Sequence, residues 1–160
     1  MSGESGSVAR VRAALAAAGH PDSITAFPEG TRSAVDAAAA IGCTVAQIAK
    51  SIVFRSGARP VLVIASGANR VDPAKVAALL GRPIARADAD FVREATGFAI
   101  GGVAPLGHLS PPLVLVDEAL LALDPVWAAA GSARHVFRTT AAELVRLSCG
   151  TVADVRAAPA

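Results

Sequence analysis

The chain has 160 residues, 53% of them hydrophobic and 18% charged, with a net charge of +2 at pH 7 and a pI near 8.9. That length and apolar content suit one domain with a sizeable core, and no apolar run reaches the roughly 18 residues a membrane span needs. The charge is weak, the arginines are scattered, and five Phe, one Trp and no Tyr argue against a base-stacking platform built from several aromatics.

Residues 1–6 read as a disordered tail and 7–156 as one domain. The polar start has no basic or apolar segment of the kind a signal peptide carries, so cytoplasmic residence is the expectation. Ser7 to Ala18 carries an apolar stripe at helical spacing (Val8, Val11, Leu15) and ends at Gly19. His20-Pro21-Asp22 reads as a surface turn, Ser23 to Phe27 as a short strand, and Pro28-Glu29-Gly30 as a turn.

Residues 31–55 hold two helix signals and a strand. Ser33 with Asp36 forms a capping box ahead of an alanine-rich helix that Gly42 stops. Thr44 with Gln47 opens a shorter helix, and Ile52–Phe54 is a strand. Lys50 falls at the junction. Of 15 basic residues only Lys50 and Lys75 are lysine. Where any positive charge serves, this sequence uses arginine, so a lysine beside an apolar strand is a candidate for specific chemistry: a compact ammonium that binds phosphate and changes its pKa on burial. The competing reading is a lysine snorkelling from a helix end.

Val61–Ala65 pairs with the preceding strand as a hairpin whose loop exceeds two residues. Asp72-Pro73 starts a helix that ends at Gly81; Lys75 is a surface residue there. Pro83–Arg86 is a short strand, and Asp88 caps a helix that Gly97 stops. The glycine-rich run FAIGGVAPLGH (98–108) follows, then a strand at Leu113–Val116 ending in Asp117, and a helical turn at 118–123. Val126–Ala130 and His135–Arg138 form a strand pair turned by Gly131-Ser132. Thr140 with Glu143 opens the last helix, and Val152–Val155 closes the fold. Cys43 and Cys149 read as buried free thiols. Helices interrupt strands without strict βαβ alternation. The expected class is mixed α/β: a compact twisted mixed sheet or distorted barrel with flanking helices.

The 98–108 run is the second candidate site. Glycines let backbone approach a ligand and turn N–H groups toward it, which can hold an oxyanion. It is neither a P-loop nor a dinucleotide fingerprint. His108 is a candidate proton handler or hydrogen-bond donor near it, while His20 and His135 read as structural or solvated. No metal-ligand spacing is present, and no metal or cofactor is expected. The chain offers no self-contained nucleophile–base pair, so any catalysis leans on backbone donors, Lys50 and the substrate's own groups.

AAAAIGCTVAQIAKSIVF, GFAIGGVAPLGH, the strand ending in Asp117, VWAAAG and the closing TAAELVRL…TVADV together resemble the YbaK family, the editing domain also found in bacterial prolyl-tRNA synthetases. The resemblance spans about residues 8–156. It implies a free-standing deacylase that hydrolyses the ester of a mischarged tRNA carrying Ala, Cys, Ser or Thr. It implies Lys50, Gly101 and Gly102 as catalytic groups, with Lys50 engaging the terminal nucleotides and the Gly101–Pro105 backbone contacting the ester carbonyl. Val103, Pro105, His108, Asp117, Ala130 and Gly131 would line the substrate pocket. Relatives that remove cysteine carry a serine and paired glycines where this chain has Ala129-Ala130-Gly131, a departure that puts cysteine in question. The implied partner is the tRNA acceptor end, with an aminoacyl-tRNA synthetase as a second candidate. DNA is disfavoured by the weak charge and the lack of a recognition-helix motif. A non-catalytic module that binds tRNA or a synthetase is the competing reading.

Overall fold

The structure, a computed structural model, describes residues 6–27 and 33–158. The expected tail at 1–5, the Pro28-Glu29-Gly30 turn and the end at Pro159 lie outside the described residues; Gly6 is already helical. Helix α1 (Gly6–Ala17) and strand β1 (Thr25–Ala26) come first, then α2 (Ala34–Ile41) and a 3₁₀ turn at Val45–Gln47. The hairpin β2 (Ile48–Ser56) and β3 (Arg59–Ser66) follows. Next are α3 (Pro73–Leu80), β4 (Ala85–Arg86), α4 (Ala89–Thr96), β5 (Leu113–Asp117) and a 3₁₀ turn at Glu118–Ala122. The chain ends with β6 (Val126–Ser132), β7 (His135–Thr139), α5 (Ala141–Ser148) and β8 (Thr151–Ala153).

All eight strands join one mixed sheet in the order β1-β7-β6-β2-β3-β5-β8, with β4 attached to β2. β2 and β3 are antiparallel, whereas β3–β5, β5–β8 and β2–β6 are parallel. Parallel neighbours need long crossovers, and α3 and α4 occupy the one between β3 and β5. Both faces of β3 are therefore covered, so its apolar residues run continuously instead of alternating with polar ones. Leu62 and Ile64 enter one core cluster and Val61 and Val63 another, all with no exposed surface. Each such side chain contributes about 2 kcal/mol by leaving water.

The cap signals act as their chemistry requires. Ser33, Asp72, Asp88 and Thr140 accept from the N–H groups of Asp36, Ala74, Phe91 and Glu143, and Gly42, Gly81 and Gly97 end helices in the left-handed conformation.

Several expectations need correction. The β2–β3 loop is two residues, Gly57-Ala58, because β2 runs from Ile48 to Ser56 and the ladder closes at Ser56 and Arg59. Gly57 has φ +60°, as primed hairpin turns demand. Lys50 thus lies inside a strand. The β6–β7 turn falls at Ala133-Arg134, and Gly131 sits in the irregular step between Ala129 and Ser132, at φ +101°. His20 is buried, bonded to Thr139 Oγ1 (3.0 Å) and the Pro21 carbonyl (2.7 Å). Cys43 is half-buried and Cys149 exposed; both are free thiols.

Candidate active site

Lys50, Gly101 and Val103 border one cleft of about 280 Å³. Its wall also includes Trp127, Ala128 and Ala129 of β6, His135 of β7, and Ser33 and Ala34 at the start of α2. The parallel pairing of Ala49 with Ala128 brings β6 beside Lys50. The first turn of α2 adds the positive end of its dipole to the ammonium. Small alanine side chains leave room for a ligand while keeping the wall apolar.

The Lys50 ammonium donates to the Asn69 carbonyl at 2.6 Å. The Asn69 side-chain amide donates to Asp117 Oδ2 at 3.0 Å, and that carboxylate also accepts from the N–H groups of Ser66 (3.1 Å) and Ala119 (2.9 Å). Asp117 is 1% exposed and its carboxylate is held by three donors. Burial pushes the Lys50 pKa below its ordinary 10.5, and the field of Asp117 opposes that fall. The ammonium is held in place by Asn69 and gives up its proton at lower pH than an exposed lysine does.

The glycine loop is anchored from behind. Arg10 of α1 donates to the carbonyls of Gly107 (2.7 Å), Gly97 (3.0 Å) and Thr96 (3.4 Å), and its guanidinium lies 4.5 Å above the centre of the Phe98 ring. His108 hydrogen-bonds the Ala104 carbonyl through Nε2 at 2.6 Å and packs edge-on against Phe98. Burial lowers the His108 pKa from 6.5, and the nearby Arg10 charge adds to that, against the Ala104 bond.

Not every expected residue reaches the cleft. The Gly102 N–H is bound to the Ala99 carbonyl at 2.9 Å, so it has no proton to offer an oxyanion. Gly102 instead lets the loop touch β6: a Cβ there would stand 2.6 Å from Ser132 Cα. No described carbonyl takes the N–H of Gly101 or Val103. Pro105 is buried, and neither it nor His108 borders the cleft. Asp117 acts on the cleft through Asn69. Ala130 is fully buried in the core, and Gly131 lies against Ser7, while Ala129 takes the cleft position.

Two contributors escaped the sequence reading. Asn69 lies in the turn after β3, and nothing in its local sequence marks it. His135 borders the cleft with its Nδ1 2.6 Å from Ser132 Oγ, a contact created by the tight β6–β7 turn. Among the described residues no cluster of His, Cys, Asp and Glu could hold a metal ion, and no helix is long and apolar enough to cross a membrane.

The sequence profile of the aminoacyl-tRNA editing domain matches residues 28–147. The chain belongs to this family. The editing domain is 32% identical over 130 residues to the uncharacterised protein YwhH of Bacillus subtilis strain 168, covering 81% of this chain and 83% of that one. It also resembles the crystal structure of a candidate trans-editing enzyme for prolyl-tRNA synthetase, at 43% identity and a TM-score of 0.91, over 97% of this chain and 99% of that one. A scaffold protein used for epitope backbone grafting shares 39% identity and a TM-score of 0.90, over 98% of this editing domain and all of that chain. The mixed eight-stranded sheet with its flanking helices matches the fold of the candidate trans-editing enzyme.

Proposed function

We propose that this editing domain is a trans-acting deacylase that hydrolyses the ester of tRNA mischarged with a small amino acid. The observation that carries the reading is the convergence of Lys50 with Gly101 and Val103 on one small-walled cleft. Lys50 clamps a phosphate of the acceptor end and so orients the ester, a positioning effect that removes much of the barrier. Water attacks the ester carbonyl carbon. The tetrahedral oxyanion draws on the unclaimed N–H groups of Gly101 and Val103. The ester C–O bond then breaks, the terminal ribose oxygen leaves with a proton, and the amino acid departs as its carboxylate. A neighbouring ribose hydroxyl, with His135 on the cleft wall, is placed to handle the proton taken from water.

The expected acyl group is a small amino acid (Ala, Cys, Ser or Thr), and a synthetase is the natural source of tRNA selectivity. The test is ester loss from tRNA charged with Ala, Cys, Ser or Thr, with and without Lys50→Ala. Cleavage of one or more esters, reduced roughly 100-fold or more by the substitution, supports the reading. Binding of tRNA with no cleavage of any ester makes the chain a binding module instead.

A further inference from the structure

After β8 the chain leaves the sheet and runs back along the segment that follows β3. Val71 and Arg156 form an antiparallel bridge. The Asp72 N–H donates to the Val155 carbonyl at 2.8 Å, and the Ala157 N–H donates to the Arg70 carbonyl at 2.7 Å. Val155 has no exposed surface and joins the core cluster of Val61, Val63, Val76 and Leu115. Residues 154–157 are thus a strap, pinned by an apolar plug as well as by backbone bonds. Lys75 of α3, the second of the chain's two lysines, fastens it from outside. Its ammonium donates to Asp154 Oδ2 at 3.0 Å and to the Arg156 carbonyl at 2.7 Å. The other oxygen of that carboxylate accepts from the Arg156 N–H at 3.1 Å.

The strap is fixed next to the group that holds Lys50. The Asn69 carbonyl accepts from the Lys50 ammonium, and the Arg70 carbonyl accepts from the Ala157 N–H. These carbonyls belong to consecutive peptide groups. Each group is planar, so only φ and ψ of Arg70 lie between them. Upstream, Asp117 holds the same turn through the Ser66 N–H and the Asn69 side chain. The peptide that meets the ammonium is therefore fixed from both ends. Ala68 and Arg70 are exposed, and an exposed turn held at one end only opens locally at small cost. A cavity of about 270 Å³ is bordered by both holds, with Lys75, Asp154 and Arg156 from the strap side and Asp117 and Glu118 from the sheet. With open space between them, neither hold substitutes for the other.

We propose that the carboxy-terminal strap, fastened by Lys75, positions the Lys50 ammonium through the Asn69 and Arg70 peptides. Lys75 and Ala157 are positioning residues. Neither borders the Lys50 cleft, and each acts by fixing the carbonyl to which the ammonium donates. With the strap loose, the Asn69 carbonyl swings and the ammonium exchanges it for water. The consequence for catalysis rests on the deacylase reading above; the hold on the ammonium does not.

The experiment labels the full chain with lysine carrying nitrogen-15 at Nζ, so that magnetic resonance sees only Lys50 and Lys75. Lys75→Met deletes one signal and the tie to the strap together, while Ala157→Pro removes the N–H that meets Arg70 and keeps both lysines. In each, the Lys50 ammonium protons should exchange with water at least about fivefold faster, the factor one net hydrogen bond is worth. Lys75→Arg, which keeps a donor to the strap, should restore the slow exchange. Each loosening variant should also lower kcat/KM for charged tRNA roughly fivefold, and should lower it no further where Lys50 is already alanine, because the strap acts through that ammonium. Unmoved Lys50 exchange in both variants, or a lowered unfolding temperature with that exchange unmoved, overturns the proposal. Faster exchange in a chain that cleaves no ester keeps the strap and removes the deacylase; Lys50-dependent cleavage with exchange unmoved does the reverse.

Discussion

Lys50 and Asp117 are joined through one residue: the ammonium donates to the Asn69 main-chain carbonyl, and the Asn69 side chain donates to the Asp117 carboxylate. The turn that carries Asn69 thus sets where the ammonium points. Asn69→Ala removes the tie to Asp117 while sparing the lysine. The expected result is about a tenfold rise in KM for charged tRNA, from loss of one charge-assisted hydrogen bond, with kcat less affected. Steady-state deacylation separates the two, and an unchanged KM would remove Asn69 from a positioning role.

The lowered Lys50 pKa has a pH signature. The ammonium loses its proton below 10.5, so tRNA affinity should fall with rising pH before an ordinary lysine would titrate. Asp117 supports the charged form, so Asp117→Asn should move that alkaline limb to still lower pH. Lys50→Arg should abolish the limb, because guanidinium stays charged throughout. Binding measured across the alkaline range distinguishes the three proteins.

His108 predicts acid sensitivity. Its pKa is depressed by burial, so the unfolded chain binds a proton at that site more readily than the folded one. Stability is held above 6.5 and lost as pH falls from there through the lowered native value. His108→Gln should flatten that part of the stability–pH curve, as urea denaturation at several pH values would show.

Gly102 and Gly131 should tolerate no side chain. At Gly131 a Cβ meets the Ser7 carbonyl oxygen at 2.7 Å in a left-handed backbone, and at Gly102 it meets the Ser132 backbone. Alanine at either should destabilise by roughly 2 kcal/mol or more, since backbone neighbours cannot rotate away. Thermal unfolding is the check. A loss of activity without a loss of stability in Gly102→Ala would restore this residue to a direct role in the chemistry.

Local chemistry was legible in the sequence. The caps at Ser33, Asp72, Asp88 and Thr140 were readable because each acts within three residues of itself. The mixed sheet followed from the strand and helix order. Non-local pairing hid the rest. Ala49, Lys50 and Ser51 are not β-branched, so the start of β2 was invisible and Lys50 looked like a junction residue. The irregular step after Ala129 moves the cleft position from Ala130 to Ala129, and no local pattern signals such a shift. The tie from Asn69 to Asp117 exists only once distant segments are paired.

Helix α1 borders neither cavity, yet Arg10 holds the loop that carries Gly101 at three carbonyls, and Ser7 Oγ donates to the Gly131 carbonyl at 2.7 Å. The amino-terminal segment therefore governs how stiff the reactive corner is. For the proposed deacylation, fusions or tags attached at that end should change turnover from outside the cleft, without altering any group that borders it.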